Sequence, residues 1–253
     1  TIPSRFIYEA DKSGLCLEVI NFGTPYHFSL QESNFFANQL SSSVNVKPSI
    51  VIFIDGLNDF LQISSSIKKE PFFTNNLKEI YKKNNIVWYK KKLNEPIIKI
   101  NLSLIDYLKL KLAPPKISSS YDFPNNLKAK DIAIKISGNI KNNNKFLDKL
   151  CTIYKISCFR FIQPVPAIYN PRNFNEKISG LNEPVYKEIF SVGYKDLFNN
   201  KNDLNFESLK IIDLSKIFQF YEGIPYIDSW HYSPRANSLI SIEILNQIKN
   251  LLK

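Results

Sequence analysis

The sequence predicts an α/β protein with a parallel, doubly wound sheet. Short apolar runs alternate along the chain with segments of helical periodicity, which is the pattern of a sheet flanked by helices. One run, SIVIFI at residues 49–54, is apolar throughout and mostly β-branched, as is typical of a parallel strand covered on both faces. The chain has 253 residues, 44% of them hydrophobic, which is enough for one sizeable core.

The predicted elements follow in order from the amino terminus. Residues 15–22, LCLEVINF, end before Gly23 and predict a buried strand. Ser29 and Glu32 have the spacing of a capping box, so a helix is expected to start at Ser29. The remaining predicted elements are strands at 49–54, 158–162 and 209–214, a helical segment over 128–155, and an amphipathic closing helix from Pro234.

Two stretches interrupt this alternation. Residues 66–127 are rich in Lys and Asn, and residues 165–205 combine several prolines with polar residues. Both are predicted to be insertions over one edge of the sheet, where segments of this length often form lids or binding loops. Residues 1–253 are therefore predicted to form a single domain with two insertions.

The chain is basic, with a net charge of +10 and a pI of about 9.3. Such a charge can favour binding to nucleic acid, to an anionic membrane surface or to an acidic substrate. Nearly all of it comes from Lys, and no stripe of interleaved Arg and aromatic residues is present. A solubilising surface is therefore favoured over nucleic-acid binding, which ranks last.

The cysteines and potential ligands predict neither a metal nor a cofactor. Cys16, Cys151 and Cys158 lie in apolar runs without zinc-finger or CxxC spacing, so buried free thiols are expected. No His, Cys and carboxylate residues have the spacing of metal ligands. No apolar run is long enough to span a bilayer, and the compartment stays open.

Three short motifs stand where strands end or the last helix begins. Gly23 follows the first apolar run, Asn58 lies in DGLND after the second, and DSWH places Asp228 three residues before His231. Open α/β sheets bind ligands beyond the carboxyl ends of their strands. His231 offers a base near neutral pH that Asp228 could orient. Each motif alone also fits an ordinary turn or cap, so their shared placement is what favours a site.

Together these motifs resemble the SGNH (GDSL-type) hydrolases. VINFGTP is similar to the family's block with an oxyanion-hole glycine, here Gly23. VIFIDGLNDF is similar to the Gly-x-Asn-Asp block with Gly56, Asn58 and Asp59, and DSWH to the Asp-x-x-His block. The resemblance implies a flavodoxin-like three-layer α/β/α sandwich and a serine esterase acting on a small-molecule, carbohydrate or lipid ester.

The resemblance also implies a role for each residue. His231 would take the proton of the nucleophilic serine, and Asp228 would orient His231. The backbone N–H of Gly23 and the side chain of Asn58 would hold the oxyanion. Two alternatives share this scaffold: an O-acyltransferase and a catalytically inactive binding module.

The family's first block, Gly-Asp-Ser or a near variant, is not found in the chain. Ser4 follows no predicted strand and stands only 19 residues before Gly23, too close for a helix and a crossover. The first strand and its serine are therefore expected upstream of Thr1, with residues 1–12 in the first helix. The alternative is a relative without a nucleophile.

Overall fold

The computed structural model describes residues 1–24, 27–41, 48–66, 128–168, 184–199, 204–228 and 231–252. The chain divides into two compact units, one of Thr1–Ile63 with Leu127–Lys253 and one of Ser64–Asn126. The second unit lies outside the described residues beyond residue 66. The predicted insertion at 66–127 therefore lies almost wholly outside them as well.

The first unit is a mixed α/β structure with a small open sheet of three parallel strands. No helix in its described residues is both long and apolar enough to cross a membrane. The helices are α1 (Ile2–Lys12), α2 (Ser29–Ser41), α3 (Leu57–Ser66), α4 (Ala129–Tyr154), α5 (Pro184–Asn199) and α6 (Pro234–Ile248), and the strands are β1 (Ile50–Asp55), β2 (Ser157–Ile162) and β3 (Leu209–Asp213).

The strands lie in the order β1-β2-β3 and pair in parallel. Asp55 at the end of β1 lies opposite Ile162 at the end of β2, which lies opposite Asp213 at the end of β3. The three carboxyl ends therefore form one level edge. Parallel α/β sheets bind ligands beyond this edge.

The side chains of β1 alternate between two apolar clusters, as the period of a strand requires. Ile50, Ile52 and Ile54 pack in a cluster with the buried faces of α1 and α6. Val51 and Phe53 pack in the other cluster with residues of α2 and α4. Burial on both faces explains why the sequence of β1 is apolar throughout.

The pattern-based predictions for the central elements are confirmed. The strands predicted at 49–54, 158–162 and 209–214 agree with β1, β2 and β3 to within one residue at each end. The helices predicted over 128–155 and from Pro234 are α4 and α6. Ser233 caps α6, because its Oγ accepts a hydrogen bond from the N–H of Ala236 at 3.3 Å.

Two local predictions are wrong. Residues 15–22 form no strand, although Leu15, Leu17 and Val19 pack against the cluster of α1 and α6. A strand requires a hydrogen-bonded neighbouring strand, and among the described residues the only backbone hydrogen bond of this segment joins Leu15 to Ala10 in α1. The helix predicted to start at Ser29 is confirmed as α2, but its capping box is absent, because the N–H of Ser29 donates to the carboxylate of Asp59 instead.

The prediction of three buried free thiols is also wrong. Cys16 is free but exposed, whereas Cys151 and Cys158 form a disulfide with their Cα atoms 6.2 Å apart. The chain reverses between them at Lys155, which has a left-handed backbone with φ 54°. This reversal brings the end of α4 against β2, a juxtaposition that residue spacing alone does not reveal.

Part of the second predicted insertion, at 165–205, is a packed helix. Helix α5 buries Ile189, Phe190 and Leu197 completely and lies along α4. It connects β2 to β3, as the crossover helix of a parallel pair does. Residues 169–183 and 200–203 of the predicted insertion lie outside the described residues.

The disulfide predicts a redox-dependent stability. Reducing Cys151–Cys158 should lower the free energy of unfolding by about 2–3 kcal/mol, because the unfolded chain regains the entropy of a closed loop. Urea denaturation with and without a reducing agent measures this change. The Cys151→Ala/Cys158→Ala double variant should not respond to the reductant, and Cys16→Ala should respond like the unaltered chain. Equal stability of the oxidised and reduced chain would contradict the prediction.

Candidate functional site

Asp228 and His231 form a hydrogen-bonded pair. The Nδ1 atom of His231 lies 2.7 Å from Oδ2 of Asp228, and the backbone N–H of His231 donates to Oδ1 at 2.8 Å. The His231 side chain is 70% exposed and that of Asp228 41%. Because Nδ1 is held by the carboxylate, Nε2 is the nitrogen that can accept a proton from another group.

A closed turn holds this pair at the start of α6. Tyr226 and Tyr232 form an antiparallel bridge across the turn. The N–H of Ile227 donates to the carbonyl of His231 at 2.9 Å, and the N–H of Ser233 donates to that of Pro225 at 2.8 Å. These bonds join residues 225–227 to residues 231–233, so both members of the pair are held next to the start of the helix.

Tyr232 attaches the turn to the carboxyl edge of the sheet. Its hydroxyl donates to the carbonyl of Pro164, two residues beyond β2, at 2.8 Å. The hydroxyl of Tyr194 on α5 donates to the carbonyl of Gln163 at 2.9 Å. Burial raises the pKa of both tyrosines well above the usual value, so both remain protonated donors at neutral pH. The Asp–His turn therefore lies at the edge where strand-end ligands bind.

Asn58 and Asp59 fasten the start of α2 to the end of β1. The side-chain amide of Asn58 donates to the carbonyl of His27 at 2.8 Å. The carboxylate of Asp59 accepts the N–H of Ser29 at 3.2 Å and its hydroxyl at 2.5 Å. An amide nitrogen carries two hydrogens, so Asn58 keeps a second donor for another acceptor. This motif therefore has a clear structural role in addition to the predicted oxyanion role.

Gly23 is four residues before His27, and its N–H donates to Oδ1 of Asn21 at 2.9 Å. The predicted oxyanion donor is thus satisfied by a neighbouring side chain. Among the hydrogen bonds of the described residues, none joins Gly23 or Asn58 to the pair of Asp228 and His231. The structure brings the last two into contact, and the oxyanion roles of Gly23 and Asn58 remain predictions.

Sequence reasoning missed a buried ion pair directly beneath this edge. Nε of Arg160 lies 2.7 Å from Oδ2 of Asp55, and both side chains are at most 1% exposed. The guanidinium also donates to Oδ1 of Asn144 on α4 and, at 3.2 Å, to the hydroxyl of Ser33 on α2. The available signal was a lone Arg within the apolar run of β2, because a buried charge requires a partner.

Two further carboxyl groups surround Asp55. Burial and then the charge and hydrogen bond of Asp55 raise the pKa of Glu32 to about 10. Burial and the charge of Asp55 also raise the pKa of Asp59 to about 6, against the opposing hydrogen bonds from Ser29. At neutral pH Glu32 is therefore protonated and can donate a hydrogen bond to Asp55.

No group of potential metal ligands adjoins the predicted residues in the described part of the chain. No three His, Cys, Asp or Glu side chains there are grouped to hold a metal ion. A surface groove of about 340 Å³ includes none of the four predicted site residues in its lining, and it is formed by Ile217, Phe220, Tyr221, Glu222, Arg235 and Leu239.

A pair of glycine substitutions tests the turn after β1. Gly56 has φ 115°, and a Cβ atom there would lie 2.6 Å from the hydroxyl oxygen of Tyr194. Gly56→Ala should therefore lower the free energy of unfolding by about 1–3 kcal/mol. Gly138 lies within α4 with open space around its Cα, so Gly138→Ala should raise that free energy by about 0.5–1 kcal/mol. Urea denaturation that gives both variants the same sign would contradict this account.

Glu32 should make the protein less stable as the pH rises. Its folded pKa is about 10 and its ordinary value 4.5, so its contribution is complete below pH 4.5 and is lost as the pH rises towards 10. The free energy of unfolding should fall by about 1.4 kcal/mol per pH unit at most within this window. Glu32→Gln should flatten the decline between pH 5 and 9, because the amide resembles the protonated carboxyl.

Urea denaturation at several pH values measures this effect, with Glu188→Gln as the control. Glu188 is an exposed carboxyl on α5, so its substitution should leave the decline unchanged. A Glu32→Gln variant with the same pH dependence as the unaltered chain would show that Glu32 does not carry the buried proton.

Comparison with known proteins adds no family assignment. No family model matches the chain, and neither the curated proteins nor the solved structures contain a match.

Proposed function

We propose that this chain carries the base of a serine ester hydrolase of the SGNH type. The observation that carries the proposal is the 2.7 Å contact between Nδ1 of His231 and Oδ2 of Asp228, in a turn fixed at the carboxyl edge of the sheet. An exposed imidazole with one nitrogen held by a carboxylate is the arrangement that general-base catalysis requires.

The proposal includes a three-layer α/β/α sandwich. Two features support it: the sheet is parallel, and β1 contributes side chains to two separate apolar clusters. One cluster includes α1 and α6, and the other includes α2 and α4. This distribution is what helices on both faces of a sheet would produce.

The proposed ester hydrolysis has two stages, formation of an acyl-enzyme and its hydrolysis. A serine hydroxyl attacks the ester carbonyl and gives its proton to Nε2 of His231, while Asp228 stabilises the imidazolium. The tetrahedral intermediate collapses when His231 gives this proton to the leaving alcohol, which leaves an acyl-enzyme. Water then attacks the acyl group by the same steps and releases the acid. An alcohol acceptor in place of water would give the O-acyltransferase.

Gly23 and Asn58 are proposed to hold the oxyanion. Asn58 would use its second amide hydrogen, and the N–H of Gly23 would exchange Oδ1 of Asn21 for the oxyanion. Each such donor typically contributes about 3–4 kcal/mol to transition-state stabilisation. The substrate is proposed to be a small-molecule, carbohydrate or lipid ester.

The nucleophile is proposed to lie on a strand that precedes α1. Among the described residues, no serine hydroxyl hydrogen-bonds to His231. Ser4 belongs to α1 and bonds to Thr1, and Ser233 caps α6. A second candidate function is a binding module with the same scaffold and no catalytic activity. It is favoured by the N–H of Gly23, which already donates to Oδ1 of Asn21.

A fluorophosphonate probe, which labels activated serines, tests the proposal on the protein with its native residues before Thr1. We expect one labelled serine outside residues 1–253 and hydrolysis of a chromogenic short-chain ester. His231→Ala should abolish labelling and lower kcat/KM by about 10⁴-fold or more. Asp228→Asn should lower kcat/KM by about 10⁴-fold with little change in KM.

Lys249→Ala provides the control, because Lys249 is exposed beyond the end of α6. Its rate should equal that of the unaltered protein. Hydrolysis that His231→Ala does not affect would show that His231 is not the base. A protein that neither takes up the probe nor hydrolyses the ester would support the binding module instead.

A further inference from the structure

The outward face of helix α4 carries lysines and exposed apolar side chains together. The inward face of the helix, which includes Ile136 and Ile140, is completely buried in the protein. With 3.6 residues per turn, the opposite side of the helix presents a second set of residues. We call the exposed lysines and apolar residues of this side the α4 stripe: Ile134, Lys135, Lys145, Phe146, Lys149 and Ile153. The stripe is about 28 Å long at 1.5 Å per residue.

The lysines of the α4 stripe keep their positive charge available. Among the described residues, no carboxylate lies within salt-bridge distance of Lys135, Lys145 or Lys149. Lys141 is different, because it lies at the boundary with α5 and its Nζ is 3.2 Å from Oδ2 of Asp196. The lysine that faces a neighbouring helix is therefore paired within the protein, and the three on the stripe face the solvent.

The two acidic residues of α4 have structural positions. Oδ1 of Asp148 accepts hydrogen bonds from the N–H groups of Ser208 and Leu209, at 2.8 and 3.0 Å, and so holds the start of β3. Asp131 lies in the first turn of the helix, where the helix dipole favours a carboxylate. The part of the outward face from Ile134 to Ile153 therefore presents cations without exposed anions.

The apolar members of the α4 stripe are unusually exposed. Ile153 is 72% exposed, and Ile134 and Phe146 are each 42% exposed. Single exposed apolar residues are common on protein surfaces. Three of them on one helix face, each adjacent to a lysine or one turn away from it, instead form a patch of the kind that marks an interaction site.

A partner of the α4 stripe must accept cations and apolar groups on the same surface. Protein–protein interfaces are depleted of lysine. A nucleic-acid backbone attracts lysine but offers little to exposed isoleucines, and α4 contains no Arg, the residue that phosphate recognition favours. An anionic membrane surface accepts both groups, because its headgroups attract lysine and its acyl chains begin just below them.

We propose that the α4 stripe docks on an anionic membrane surface with the helix axis parallel to the bilayer. Ile134, Phe146 and Ile153 enter the boundary between headgroups and acyl chains. The lysines lie along the same boundary with their apolar stems and direct their ammonium groups to lipid phosphates. The contact is peripheral, because the inward face of α4 stays buried in the protein. The net charge of +10 on the chain favours its approach to such a surface.

Co-sedimentation of the 253-residue chain with lipid vesicles tests the docking. We expect binding to vesicles of phosphatidylcholine with about 30% phosphatidylglycerol, and no binding to pure phosphatidylcholine. Lys145→Glu/Lys149→Glu should weaken binding at least tenfold, because two attractive contacts with lipid phosphates become repulsive. Phe146→Ala/Ile153→Ala should weaken binding at least fivefold, because less apolar surface enters the boundary. All four side chains are exposed, so both variants should fold.

Matched control variants change helices α1 and α6, which belong to the other apolar cluster. Lys12 and Lys249 are exposed at the ends of these helices. Lys12→Glu/Lys249→Glu changes the net charge as much as the stripe variant does, and should weaken binding less than twofold. Ile7 and Ile242 are 37% and 39% exposed, so Ile7→Ala/Ile242→Ala matches the loss of apolar surface and should leave binding unchanged.

Three outcomes would overturn the docking. The first is an unaltered chain that does not sediment with the anionic vesicles. The second is an equal loss of binding in the stripe variants and their controls, which would mean that net charge alone drives the binding. The third is a loss in the lysine variant but none in the apolar variant, which would indicate a polyanion such as nucleic acid. None of these measurements involves ester hydrolysis, so the docking and the proposed function can fail independently.

Discussion

The buried ion pair between Arg160 and Asp55 is the interaction on which the rest of the structure depends. Removing one partner of a buried ion pair typically lowers the free energy of unfolding by about 3–5 kcal/mol, because the other charge is left buried and unpaired. The side chains that hydrogen-bond to this pair must therefore be in place. Arg160 lies on β2, Asp55 ends β1, Ser33 comes from α2 and Asn144 from α4. One guanidinium therefore fixes the relative positions of two strands and two helices.

The candidate site is built directly on this pair. The residues after Asp55 form a glycine turn and then present Asn58 and Asp59, which hold the chain at His27 and Ser29. The Asp–His turn reaches the same edge through Tyr232 and the residues that follow β2. The motif residues are thus attached to the carboxyl ends of β1 and β2. The buried ion pair fixes the spacing of these two strands, and a pre-organised site requires such rigid support.

Sequence patterns predicted the features that depend on residues close together in the chain. Apolar runs and helical periodicity identified β1, α4 and α6, and the spacing of Asp228 and His231 anticipated a contact within one turn. Features that depend on distant partners were not predictable. Residues 15–22 have the composition of a strand, yet a strand also needs a neighbour. Arg160 was hidden inside an apolar run, and the Cys151–Cys158 bond depends on a chain reversal at Lys155.

The protonated carboxyl of Glu32 also links folding to the solvent. In the unfolded chain Glu32 ionises near pH 4.5, but in the folded protein it keeps its proton up to about pH 10. Folding at neutral pH must then take up about one proton from the buffer. The heat released on folding will include the ionisation enthalpy of that buffer, so calorimetric enthalpies measured in phosphate and in Tris will differ even though the folded structure is the same.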